Sequence, residues 1–212
     1  TAPLTSPISG PTAFCPGTTN IIFSVTNTPG NTYNWTTGNG VTIVSGQGTN
    51  SIVVNWGNNA STISVTESNA CATGLPVTYS VSVLPLPNVN FTADTFSGCA
   101  PLTVSFQDLS TVTGENIVSW NWNFGDGNTS AVQNPQNMYM NSGSYNVTLT
   151  VVSDSGCVAT FNQLNFITVH PDPAAQFTTA QNSFTNLTDV NVQFSDLSTY
   201  NIVQWQWSFG DG

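Results

Sequence analysis

The stretch Asn116-Ile117-Val118-Ser119-Trp120-Asn121-Trp122-Asn123-Phe124-Gly125-Asp126-Gly127 returns at Asn201 to Gly212 as NIVQWQWSFGDG, with nine of the twelve positions identical. A copied segment inside a chain of 212 residues marks an array of modules rather than one large fold. Within it, Val118, Trp120, Trp122 and Phe124 alternate with Ser119, Asn121 and Asn123. This period of two predicts a strand with all four apolar side chains facing a core. The strand runs into Gly125, Asp126, Gly127 and Asn128. Glycine reaches positive φ without a Cβ clash and Asp or Asn satisfies local backbone donors, so a tight turn is expected there. A second alternating run, Tyr145, Val147, Leu149 and Val151, follows Gly143 and supplies the facing strand of a sandwich core.

The copy extends further. Val192, Phe194, Asp196, Leu197 and Ser198 repeat Val104, Phe106, Asp108, Leu109 and Ser110, and Trp205, Trp207, Phe209, Gly210, Asp211 and Gly212 repeat the strand and its turn. No counterpart of Gly143 to Val151 follows, so residues 172–212 are expected to be the N-terminal half of a further module in a chain that continues. Half a sandwich leaves an apolar face and open strand edges in water.

The order Trp122, Phe124-Gly125-Asp126-Gly127, Asn134-Pro135, Tyr139, then Gly143, Tyr145, Val147 and Leu149 resembles the signature of the PKD domain, an immunoglobulin-like β-sandwich of bacterial and animal surface proteins. Two departures from that pattern are Asn123, where the family commonly has an acidic residue, and Met138, where it often has His. Residues 1–86 are similar to the PKD-like modules that alternate with PKD domains in large bacterial surface proteins. The resemblance rests on Ser45-Gly46-Gln47-Gly48-Thr49 followed by Ser51-Ile52-Val53-Val54-Asn55-Trp56-Gly57. Short alternating runs separated by Gly, Asn and Pro clusters predict six strands there, at residues 21–25, 32–35, 41–44, 51–56, 62–67 and 77–84. The expected architecture is all-β: tandem immunoglobulin-like (PKD) β-sandwiches in a linear array, with modules at 1–86, 87–171 and 172–212. Leu84-Pro85-Leu86-Pro87 and His170-Pro171-Asp172-Pro173 read as the semi-rigid linkers, with few contacts crossing them.

Each complete module holds one pair of cysteines, Cys15 and Cys71 separated by 56 residues and Cys99 and Cys157 by 58. Matching separations predict two bonds inside modules, Cys15 with Cys71 and Cys99 with Cys157, each worth roughly 4 kcal/mol in the chain-entropy model. A four-cysteine metal site lacks the C-x-x-C pairs or histidine partners it needs. Disulfides imply an oxidising, extracellular setting.

The composition excludes several functions. There is no Lys or Arg against ten acidic residues, a formal net charge of −10. Nucleic-acid backbones and anionic lipid surfaces both require cations, so neither is a partner, and no apolar run is long enough for membrane insertion. The one histidine, His170, lies in a proline linker, and the carboxylates are scattered singly, so no nucleophile, base and oxyanion donor converge and no enzyme is expected. No cofactor is expected either. Asp126 and Asp211 read as turn residues and Asp108 and Asp196 as structural, while a calcium ion at a module junction near Asp94, Asp172 or Asp189 is the competing reading for the acidic side chains. Trp120, Trp122, Trp205 and Trp207 have the parity of core residues, and a sugar-binding platform is their alternative.

What the PKD resemblance implies is a non-catalytic spacer and adhesion segment of a repetitive protein on the bacterial cell surface, similar to type IX-secreted proteins, some of which serve gliding motility. Its partners would be further copies of the repeat and an extracellular protein or polysaccharide surface. PKD domains also accompany secreted hydrolases, which makes a glycan- or protein-binding accessory module the alternative. A third reading is assembly with a second chain that completes the half module.

Overall fold

In the computed structural model, residues 1–179, 193–200 and 202–209 are described. The first module contains β1 (Ala13–Phe14), β2 (Ile21–Ser24), β3 (Thr32–Thr37), β4 (Val41–Ser45), β5 (Ser51–Trp56), β6 (Ser61–Ser68) and β7 (Val77–Val83). Two sheets face each other, in the orders β1-β7-β6-β3 and β2-β5-β4. Alternation fixes which side chains lie between them: Ile52, Val54 and Trp56 from β5, Tyr33 and Trp35 from β3, and Ile63 and Val65 from β6 are all buried. The next inward position of β6 is Glu67, a buried carboxylate in a chain without Lys or Arg. Its Oε1 accepts hydrogen bonds from Asn31 Nδ2 at 2.7 Å and the Tyr33 hydroxyl at 3.3 Å, which replace the water it loses.

The second module repeats the plan with β8 (Phe91–Ala93), β9 (Ser97–Cys99), β10 (Leu102–Asp108), β11 (Ile117–Asn123), β12 (Thr129–Ser130), β13 (Gln136–Tyr139), β14 (Gly143–Ser153) and β15 (Val158–His170). Its sheets run β13-β10-β8 and β12-β11-β14-β15-β9. In both modules an early short strand lies parallel to the last one, β1 beside β7 and β9 beside β15, while every other pairing is antiparallel. Trp122, Phe124, Phe106, Phe91 and Tyr139 form the aromatic centre of this core, with Val147, Leu149 and Val151 from β14. The two cores are separate sets of residues.

Val118 corrects the parity reading of the repeat. It is 56 % exposed, because the register between β11 and β14 shifts between Ile117 and Ser119. The bulge adds one residue and turns Ile117 inward in place of Val118. Trp120 is only partly buried at the margin of the core, whereas Trp122 and Phe124 are sealed inside it.

In the third segment, β16 (Phe177–Thr179) pairs antiparallel with β17 (Phe194–Asp196) as β8 pairs with β10. The bridge Ala174 to Thr199 repeats Asn88 to Thr111, and the Leu197 amide donates to the Gln176 carbonyl as Leu109 does to Asn90. Gly210, Asp211 and Gly212 lie outside the described residues.

Candidate functional site

The duplicated turn is held by its own polar side chains. Asp126 Oδ1 accepts from the Asn128 amide at 2.9 Å, and its Oδ2 accepts from Asn128 Nδ2 at 3.0 Å and Asn137 Nδ2 at 2.8 Å. Asn123 Oδ1 accepts from the Gly125 amide at 2.9 Å, a task an amide oxygen performs as well as a carboxylate. The Tyr139 hydroxyl donates to the Phe124 carbonyl, and burial pushes its pKa above the ordinary tyrosine value. With its carboxylate engaged in this way, Asp126 is a turn residue. Gly125 has φ +82, and a Cβ on it would run into the Asn146 carbonyl oxygen, whereas Gly127 at φ +98 has open space around it. Gly125→Ala is therefore expected to cost more than the roughly 1–2 kcal/mol that the left-handed backbone alone imposes, and Gly127→Ala about that amount. Urea midpoints of the two variants measure the difference, and equal losses would refute the close approach of Asn146.

The first tryptophan of each copy of the repeat donates to a carboxylate, a link that the period of two does not reveal. Trp120 Nε1 lies 2.7 Å from Asp108 Oδ2, and Trp205 Nε1 lies 2.7 Å from Asp196 Oδ2. The same aspartates accept from the amides of Ser110 and Ser198. The Ser198 hydroxyl and amide, with Trp205, hold Asp196 below the usual carboxylate pKa. In the third segment, Trp207 stacks with Phe209 at 6.2 Å and meets Phe177 and Phe194 at 5.6 and 5.7 Å. Trp122 meets Phe124, Phe91 and Phe106 at 6.2, 5.2 and 5.6 Å. The two sets are one arrangement. In the second module β14 and β15 cover it, and in the third segment Trp207 and Phe209 remain exposed.

The cysteines depart furthest from the sequence reading. Cys15 is bonded to Cys157, with 5.4 Å between Cα atoms, and Cys71 and Cys99 are free and exposed. Both predicted bonds, Cys15 with Cys71 and Cys99 with Cys157, are thereby corrected. Cys99 sits opposite His170 in the β9–β15 register, while Cys157 immediately precedes β15. The 13 residues of β15 separate them by roughly 40 Å, far beyond the ~7 Å that a disulfide spans. In the first module, Cys15 follows Phe14, which pairs with Val83 at the end of β7, and Cys71 lies before the start of that strand. Similar separations along the chain reflect the common plan of the modules, which places the two cysteines of each at opposite ends. The bond formed instead crosses the Leu84 to Pro87 linker, so the junction carries a covalent tie that the bead-and-linker reading lacked.

The hairpin turn that presents Cys157 is firmly built. The Ser153 amide donates to the Cys157 carbonyl at 2.9 Å, Gly156 turns at φ +87, and Cys157 itself is fully buried. The Ser155 hydroxyl donates to Glu115 Oε2 at 2.6 Å and the Asp154 amide to the Asn116 carbonyl, fastening the turn to the neighbouring loop. On the other side, the Thr18 hydroxyl donates to the Cys15 carbonyl.

His170 is exposed at the end of β15, where it lies opposite the free thiol-bearing Cys99 in the β9–β15 register. Among the described residues, no three His, Cys, Asp or Glu side chains are grouped to hold a metal ion. Asp94 instead accepts from the Ser105 amide, which with the Ser105 hydroxyl lowers its pKa, and Asp189 lies outside the described residues. Among those residues, too, no helix is long and apolar enough to cross a membrane.

Comparison with known proteins agrees with this architecture. Residues 1–81 match the family model described as a PKD-like domain and residues 85–169 the one described as a PKD domain. The pre-pro-metalloprotease PrtV of Vibrio cholerae serotype O1 is 45 % identical over 62 residues, which are 29 % of this chain and 7 % of that protein. The chain thus spans a small fraction of the curated relatives it matches. Among solved structures, the PKD1 domain of Vibrio anguillarum Epp is 32 % identical, covering 40 % of this chain and 95 % of that one, with a TM-score of 0.36. The PKD1 domain of the Vibrio cholerae metalloprotease PrtV is 37 % identical, covering 41 % and 96 %, with a TM-score of 0.34. With two all-β units of one plan matched in succession by PKD models, the chain belongs to the PKD family as a tandem of immunoglobulin-like β-sandwiches.

Proposed function

We propose that this chain is a non-catalytic spacer and adhesion segment of a repetitive extracellular protein, held on the cell surface and resembling the type IX-secreted proteins used in attachment and gliding. The observation that carries the reading is the Cys15–Cys157 bond across the module junction. A bond there adds nothing to a binding pocket, but it limits how far two sandwiches can be drawn apart, which is the requirement on a stalk that transmits force. Its oxidation also fits the extracellular side. The surface, rich in Thr, Ser, Asn and Gln and free of Lys and Arg, offers no site to trypsin-like proteases.

A second reading, an accessory module of a secreted hydrolase, is favoured by the 45 % identity to the Vibrio metalloprotease segment. Antibodies raised against residues 1–170 separate the two. On the producing cells, the spacer reading expects surface label and at least a several-fold fall in attachment when Fab fragments are added. Label confined to the medium, on a chain that also carries a protease or glycosidase domain, would replace it with the accessory reading.

A further inference from the structure

The two free thiols occupy the positions that are bonded at the existing junction. Cys15 and Cys99 correspond: Cys15 immediately follows β1 and Cys99 ends β9, each the short strand lying parallel to the last strand of its module, and each sits by the residue that leads out, Leu84 or His170. The Leu84 amide donates to the Phe14 carbonyl, and the Ala100 amide to the His170 carbonyl. Cys71 and Cys157 also correspond, since both lie in the turn joining the last two strands, β6–β7 and β14–β15. Cys71 lies where the chain enters its module: Asn69 Nδ2 donates to the Thr1 carbonyl, and Asn69 Oδ1 accepts from the Cys71 amide. The existing bond therefore joins the exit cysteine of one module to the hairpin cysteine of the next.

The second junction has the same construction as the first. Leu84-Pro85-Leu86-Pro87-Asn88-Val89-Asn90-Phe91 and His170-Pro171-Asp172-Pro173-Ala174-Ala175-Gln176-Phe177 agree in length, in both prolines and in the phenylalanine that begins β8 or β16. The bridges and the amide-to-carbonyl bond that follow are repeated as well. A hairpin appended to the third segment would thus stand over Cys99 as Cys157 stands over Cys15.

We infer that Cys99 and Cys71 are the open ends of a ladder of disulfides between modules: Cys99 bonds the hairpin cysteine of the module that follows, and Cys71 the exit cysteine of a module that precedes. Each rung forms when two thiols lose their protons and pass two electrons to a disulfide oxidant such as oxidised glutathione, which leaves as two thiols while one S–S bond forms. Between Pro173 and Gly212 there is no cysteine, so the third module lacks an exit thiol and the ladder stops there. The inference deepens the spacer reading, yet its test reads connectivity alone, so the two fail separately.

The test extends the chain past Gly212 with a second copy of residues 128–170, which completes the third sandwich and supplies a second copy of Cys157. After folding in a glutathione redox buffer, non-reducing chymotryptic mapping is expected to show Cys99 linked to the copied cysteine with Cys15–Cys157 retained. Maleimide labelling of Cys99 is expected to fall at least tenfold relative to the unextended chain, and to return when the copied cysteine is replaced by serine. In a second chain, residues 1–173 are followed directly by a second 1–173, so that both partners lie in modules with complete cores; there, Cys99 of the first copy is expected to bond Cys71 of the second. Cys99 labelled at its original rate beside an intact Cys15–Cys157 in this second chain, or Cys99–Cys99 dimers as the main product, overturns the ladder.

Discussion

Stretched from its two ends, the chain is expected to lengthen by roughly 500 Å more after reduction than before it. The bond joins residues 142 apart, so everything between Cys15 and Cys157 is withheld from an applied force while it is intact. Its release adds that number of residues at about 3.3–3.6 Å each. Force spectroscopy on the oxidised chain, on the reduced chain and on Cys157→Ser measures the difference directly. The serine variant should behave as the reduced protein does, and Cys71→Ser or Cys99→Ser should leave the oxidised length unchanged. Equal extension with and without reductant would remove the junction bond from the account. The same bond also bears on stability. Because Cys15 lies beside Leu84, the second module, when it unfolds alone, remains a loop closed from Leu84 to Cys157, and losing that closure is worth about 4 kcal/mol in the chain-entropy model.

Replacing Trp122 by alanine is expected to remove most of the stability of the second module and to leave the first untouched. Trp122 is fully buried against Phe91, Phe106 and Phe124, and its Nε1 donates to the Val132 carbonyl at 3.0 Å. A large-to-small change at such a site costs about 3–5 kcal/mol, and the orphaned carbonyl adds to it. A domain of this size has only about 4–13 kcal/mol in total. Because the two cores share no residue, calorimetry should show one transition moving far down in temperature and the other staying in place. Trp120→Ala, at the partly exposed edge, should cost clearly less, and its loss would register the Asp108 hydrogen bond as much as packing. Equal losses for Trp120 and Trp122 would contradict the bulge that separates their environments.

The Trp122 and Trp120 pair also marks where one-dimensional pattern stops being informative. From Trp122 through Asp126 the alternation and the turn chemistry are local, set by which side of a pleat a residue occupies and by which residues tolerate positive φ, and so they can be read from the chain. Upstream, one inserted residue against β14 reverses the facing of Val118, and nothing in Ile117-Val118-Ser119 announces it, because the bulge is a property of two strands in register. The Trp–Asp links escape for a related reason: Asp108 and Trp120 lie 12 positions apart on strands of different sheets.

The amino-acid sequence by itself determined the tandem β-sandwich class and the lack of Lys and Arg, because repetition, period and composition need no third dimension. The tertiary structure decided which sulfurs meet. A strand of 13 residues carries Cys157 and the partner of Cys99 to opposite ends of a module, and the linker folds the next module's hairpin onto Cys15. Distance through space, not separation along the chain, governs a covalent bond of this reach.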